Sequence, residues 1–134
     1  MPKTQPDEAA AQWVPLTTLV PWADNPRHND DAVQHVVDSI KRFGFASPII
    51  ARREDNMVIA GHTRLKAAAE LGLDKVPVRF LDLDPADAKM LALADNKTSE
   101  LAAWDEVKLS DIMGGMSEDE LGAMLATGWH QAEL

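Results

Sequence analysis

Cysteine is absent from the 134 residues. That removes disulfides, thiolate metal sites and a cysteine nucleophile together. No apolar run is long enough to span a bilayer, and residues 1–12 lack the hydrophobic stretch of a signal peptide. Aromatic residues are scarce, at 5%. The four tryptophans, two of them near the chain ends, read as packing or interface residues rather than a platform for stacking bases. Internal repeats and low-complexity tracts are missing too. Together these absences point to the cytoplasm, of bacterial or phage origin, with no membrane contact.

Positive charge is also in short supply. Lys and Arg number 13 against 22 Asp and Glu, a net charge of −9. The deficit is uneven. From Asn25 to Lys89 there are ten basic and ten acidic residues, whereas Met90 to Leu134 holds two basic and nine acidic ones, or −7. A protein that grips duplex DNA unspecifically presents a basic surface. Contact with DNA here is expected only through a local basic patch in the central region or through a partner protein.

What the chain does contain is enough apolar content for one core, at 46% hydrophobic residues. Residues 1–12 are polar and expected to be disordered. Trp13 to Val20 reads as a strand, and Pro21 to His28 as a loop dense in turn formers. Arg27 and His28 in that loop are either a ligand-facing lid or simply solvated. A helix capped by Asn29, Asp30 or Asp31 follows, with Val33, Val36, Val37 and Ile40 at i, i+3, i+4 and i+7. Phe43 and Gly44 close it. After the connector Phe45–Pro48 come a short strand Ile49–Arg52, a turn at Glu54–Asn56, and a strand Met57–Ala60. A helix over His62 to Leu71 ends at Gly72. Val76 to Leu81 is a strand expected at a sheet edge, because Pro77 cannot donate to a neighbour.

Asp84-Pro85 starts a third helix. Met90, Leu91, Leu93 and Ala94 are its expected buried face, and Asp95 to Thr98 its C-terminal end. Two acidic-capped helices follow, from Asp105 and from Ser117, with Glu120 completing a capping box. Met113 to Met116 is the hinge between them. The order predicts an α+β domain, a small mixed sheet packed with helices over residues 13–104, and an acidic helical extension over 105–134.

The stretch with most chemistry is Gly61-His62-Thr63-Arg64. An apolar strand runs into a glycine and then a helix, so the unpaired N–H groups of the first turn point out of the sheet end and suit an anion. Thr63 adds a hydroxyl and Arg64 a fork of donors. Arg64 in a first turn opposes the helix dipole, a cost of roughly 0.3–1 kcal/mol that a bound anion reverses. The plain alternative is that Gly61 only makes the corner. Asp95-Asn96 offers hard oxygens of the kind Mg2+ takes, or merely ends a helix. His28, His35 and His130 form no metal-ligand spacing.

The segment order and motifs resemble the N-terminal domain of the ParB family, which shares its fold with sulfiredoxin. Asn25-Pro26-Arg27 stands where that family has an Asn-Pro loop. Ser39-Ile40-Lys41-Arg42-Phe43-Gly44 and Pro48-Ile49 match its helix end and loop. Gly61 to Ala67 matches its Gly-Glu-Arg-Arg-x-Arg-Ala box, and Val76-Pro77-Val78 follows. The resemblance implies a CTP site, or an ATP site in a variant. Gly61, His62, Thr63 and Arg64, with Arg27, would hold phosphate; Gly44, Phe45, Ser47 and Pro48 would face the base; Asp95 and Asn96 would serve Mg2+, with Asp95 and His62 as working groups of any hydrolysis. His62 stands where the family has Glu, Thr63 where it has Arg, and Ser99 where an Arg is expected. Sulfiredoxin's cysteine falls at His62, which excludes its chemistry. The variants look more like domains in phages or beside DNA methyltransferases.

Three functions are therefore carried forward. The first is a nucleotide-binding module of a DNA-related system with slow hydrolysis at most. The second is a nuclease or small-molecule kinase. The third is a non-catalytic interaction module whose acidic helical tail binds a partner or makes a dimer through Met113, Met116, Met124 and Trp129.

Overall fold

The computed structural model describes residues 10–25 and 30–129. Its elements are β1 (Gln12–Pro15), a 3-10 turn (Leu16–Thr18), α1 (Asp30–Phe43), β2 (Ile49–Arg52), β3 (Val58–Ala60), α2 (His62–Glu70), β4 (Lys75–Leu81), α3 (Pro85–Leu101), α4 (Glu106–Gly114) and α5 (Glu118–Ala126). The four strands form one mixed sheet in the order β1-β4-β2-β3. β4 pairs antiparallel with β1 and parallel with β2, and β2 pairs antiparallel with β3. The expected α+β class and its small mixed sheet are both present.

Two apolar layers hold it. Ile49, Ala51, Val58, Val76 and Val78 from the sheet pack with Leu65 and Ala68 of α2. On the other side of α2, Ala67 meets Val33 and Val37 of α1. Ala67 and Ala68 are fully buried, and their small side chains let α2 lie close against both neighbours. The stripe read from α1 is the face it buries.

Local signals set the helix ends. Asp84, Asp105 and Ser117 each accept a hydrogen bond from the backbone N–H three residues on, at 2.8, 3.1 and 3.2 Å. Gly44 and Gly72 take positive φ just past α1 and α2.

Five expectations are corrected. Gln12, assigned to a disordered segment, is in β1 opposite Val78. The strand expected over Trp13–Val20 stops at Pro15, where the chain enters the 3-10 turn; Val20 forms only an isolated bridge to Met57. β4 is an interior strand, not an edge. Val76, Pro77 and Val78 are all buried, the continuous pattern of a strand covered on both faces, and the short β1 takes the edge beside Pro77. In α3 the face toward β3 is the small one. Ala92 is its buried residue, while Met90, Leu91, Leu93 and Ala94 are exposed. Helix α3 also runs past Asp95–Thr98 to Leu101, because the hydroxyls of Thr98 and Ser99 donate back to Ala94 O and Asp95 O instead of breaking the turn.

Among the described residues Arg52 is the one charged side chain in the buried set, 8% exposed. Its Nε donates to Leu83 O at 2.6 Å, and its terminal nitrogens reach Glu54 at 2.7 Å and Asp55 at 3.0 Å. It ties the β2–β3 turn to the end of β4. Replacing Arg52 by Met keeps the apolar stem and loses these bonds. Urea unfolding should show stability lowered by about 2–3 kcal/mol with an unchanged slope.

Candidate functional site

Strand β3 ends in Ala60 and the chain turns at Gly61 before α2 begins. Gly61 has φ +97° and is the N-cap of α2. A Cβ placed there would lie 3.2 Å from Ile49 Cγ1 and 3.3 Å from Ile49 Cα. The corner is thus closed to other residues twice, by its left-handed conformation and by β2 beneath it. Because α2 starts this abruptly, its first intrahelical bond runs from Leu65 N–H to Gly61 O at 2.9 Å. The N–H groups of His62, Thr63 and Arg64 precede that ladder.

These residues form one side of a cleft of about 370 Å³. Asp95, Asn96 and Ser99 of α3 line the other side, with Asn25 and Val36 at its edges. The two candidate sites, 31 positions apart in sequence, therefore face one space. Among the described residues the Arg64 guanidinium has no hydrogen-bond or ion-pair partner, and it is half-buried. A second cavity of about 460 Å³ adjoins the first, sharing Ala32, Val36 and Arg64. Gly44, Phe45 and Ser47 line it, as the resemblance implies, together with Ser39 of α1. Pro48 is half-buried beside that loop and does not line the cavity. Both volumes fall within the roughly 300–1,000 Å³ usual for small-molecule sites. Arg27 and His28 lie outside the described residues, as does His130.

His62 has a second engagement. Its Nε2 accepts the Trp22 backbone N–H at 3.2 Å, so its proton sits on Nδ1. Burial pushes its pKa below the ordinary 6.5, and Lys66 nearby adds repulsion. The neutral imidazole ties the Trp22 segment to the first turn of α2.

Asp95 and Asn96 are consecutive on a helix, so their side chains diverge by about 100°. Asp95 is exposed and Asn96 half-buried. No group of three or more His, Asp or Glu gathers among the described residues. This donor set fits a hard cation that takes most of its ligands from water and phosphate, as Mg2+ does; it does not fit an all-protein cage.

Sequence reasoning missed four contributors to the cleft walls. Ser39 and Val36 come from α1, and Thr127 and Gly128 arrive from beyond α5. The first two were visible only as helix residues, and nothing local marks the last pair.

Residues 2–97 match the ParB N-terminal domain family. The chain belongs to that family. It is 35% identical over 107 residues to a probable plasmid-partitioning protein ParB of Thermus thermophilus, covering 74% of this chain and 36% of that one. It is 45% identical over 68 residues to the ParB-like nuclease domain-containing protein YnaK of Escherichia coli, covering 50% of this chain and 77% of that one. The chain thus spans about a third of the Thermus ParB and most of the short Escherichia coli protein. Among solved structures it superposes on ParB of Caulobacter crescentus complexed with CTP-gamma-S, with TM-score 0.70 and 19% identity over 90% of this chain and 73% of that one. Sulfiredoxin of Arabidopsis thaliana gives TM-score 0.52 and 23% identity over 60% of this chain and 94% of that one. At these identities the likeness is one of fold. Among the described residues no helix is long and apolar enough to cross a membrane.

The depressed pKa of His62 has a consequence for stability. The unfolded chain takes up the proton near pH 6.5, where the folded imidazole still resists it. The stabilising contribution is present above pH 6.5 and lost as pH falls through it. Between pH 7.5 and 5.5 the wild-type urea midpoint should fall more than that of His62→Gln, whose amide oxygen can still accept from Trp22.

Proposed function

We propose that this ParB-like domain binds a nucleoside triphosphate, CTP first among them, with Mg2+. The observation that carries the reading is the Arg64 guanidinium, without a hydrogen-bond or ion-pair partner among the described residues, beside the first-turn amides of α2 and facing Asp95 and Asn96 across one cleft. A triphosphate needs a dense set of N–H donors and a hard cation, and the two walls offer one each. The adjoining cavity at Gly44–Ser47 would receive the base, with Arg64 at the junction. The Caulobacter ParB bound to CTP-gamma-S supports CTP over other guests.

In this reading Gly61, Thr63 and Arg64 hold phosphate oxygens. Mg2+, when bound, would neutralise charge between the phosphates, and Asp95 would hold its water shell. His62 positions the Trp22 segment. Its Nε2 is already spent on a backbone N–H, which leaves a proton-transfer role only to Nδ1 and keeps hydrolysis slow. The module would serve partitioning or another DNA-handling system. The acidic extension, with six carboxylates against Lys108 alone between Asp105 and Ala126, assigns DNA contact to a central basic patch or a partner protein.

A nuclease is the second reading, and the name of the Escherichia coli relative is what favours it. Incubating DNA with the protein and Mg2+ or Mn2+ separates the two. Cutting that disappears in Asp95→Ala would support the nuclease.

Calorimetric titration with each of the four triphosphates in Mg2+ should give heat with CTP. Arg64→Ala should weaken that binding about tenfold to a hundredfold, the worth of one or two charge-assisted phosphate bonds. Silence with all four, or an isotherm unchanged in the variant, would overturn the proposal.

A further inference from the structure

A third cavity, of about 250 Å³, lies between β3 and α3. It shares only Ile59 with the phosphate cleft and no residue with the base-side cavity. No part of the nucleotide-site reading uses it.

Its origin lies in α3. Pro85, Ala88, Lys89 and Ala92 recur at i, i+3, i+4 and i+7 and so share one face of the helix. That face lines the cavity, and three of its four residues are short. The large apolar residues Met90, Leu91 and Leu93 project elsewhere and are exposed. Opposite the short residues stand Met57, Val58 and Ile59 of the strand side, and half-buried Trp22 adds a further wall. The space is what the short side chains leave open. Apolar walls without a filler forfeit dispersion contacts that a guest of matching shape restores.

The charges on the wall narrow the guest's chemistry. Arg52 and Asp55 are paired at 3.0 Å, and the other Arg52 donors go to Glu54 and to Leu83 O. Asp55 also accepts the Met57 N–H at 3.1 Å. Lys89 is exposed, and among the described residues its ammonium has no hydrogen-bond or ion-pair partner. The cavity therefore combines apolar walls with one uncommitted positive charge.

We propose that this cavity is a binding site for a small aromatic carboxylate, with its ring against Trp22, Met57 and Ala92 and its carboxylate on Lys89. The indole and the thioether favour an aromatic ring over an aliphatic chain. The volume is below the roughly 300–1,000 Å³ of drug-sized sites, so the guest has one or two rings.

Titrating the full chain, without nucleotide, with naphthalene-2-carboxylate tests this by nuclear magnetic resonance. Amides 57–59 and the Trp22 indole N–H should shift, with a submillimolar Kd. The neutral naphthalene-2-carboxamide should bind about threefold to fivefold more weakly, the worth of one exposed ion pair. In Lys89→Gln, a change at an exposed position, the two compounds should bind alike. Ala88→Leu grows a side chain into the open space and should weaken both at least about tenfold. Absence of these shifts at millimolar naphthalene-2-carboxylate would overturn the proposal. So would shifts at 90–93 without those at 57–59, which place the compound on the exposed Met90–Leu93 face. Equal binding of carboxylate and carboxamide by wild type would refute the role of Lys89 and the proposal with it. A dimer in light scattering that reverts to monomer in Ala88→Leu would assign the cavity to a second copy of the chain instead. If Ala88→Leu does not fold, the wild-type shifts and Lys89→Gln decide.

Discussion

The contact of Gly61 with Ile49 is the constraint from which the rest follows. Strand β3 can turn into α2 directly above β2 only if nothing projects from residue 61. That single missing Cβ lets the helix begin at once. The early start leaves three amides ahead of the first helical bond and puts Arg64 on the wall of both cavities, with no partner among the described residues. A side chain at this corner would strain the positive φ and crowd Ile49 by a few tenths of an ångström. Further along the same helix Ala67 and Ala68 take their close seats against α1 and the strands, so the core and the site share one element.

The same geometry explains a local conflict. Arg64 stands in the first turn of a helix with no acidic residue there and no side-chain cap, an arrangement the dipole disfavours. Proteins that break a local rule usually do so at a functional position. The cost is a few tenths of a kcal/mol to about one, small beside the effect of a bound polyphosphate. Arg52 makes the opposite case. It too is a cation beside a strand end, but its donors are taken by Leu83, Glu54 and Asp55, which makes it part of the frame.

Much of this was legible before the structure. The α1 stripe, the Glu54–Asn56 turn, the caps at Asp84, Asp105 and Ser117, and the Gly61 corner each have a cause within a few residues, and the chain shows it. Where the cause was distant, reading failed. Pro77 suggested an edge because the donor it lacks is local, whereas the strand that covers it, β1, lies sixty residues earlier. Met90, Leu91 and Leu93 looked like a buried face by hydropathy. Close approach to β3 required Ala92 instead, a choice between size and hydropathy that only the partner decides. Asp95 and Asn96 were expected at a helix end, and that the hydroxyls of Thr98 and Ser99 would sustain the helix was not visible in composition.

The mid-helix position changes the argument about the metal. At a frayed end both side chains of Asp95-Asn96 could swing toward one cation. On a continuous α3 they diverge, and only one can meet a given ion squarely. In the proposed site the guest itself would then supply most of the coordination, which would make cation and polyphosphate binding cooperative, each weak without the other. That cooperativity suits a module whose output is a bound state rather than turnover. In the proposed reading Arg64 would hold one end of the guest and α3 the cation, so the ligand would join two elements that the sheet carries as a rigid base.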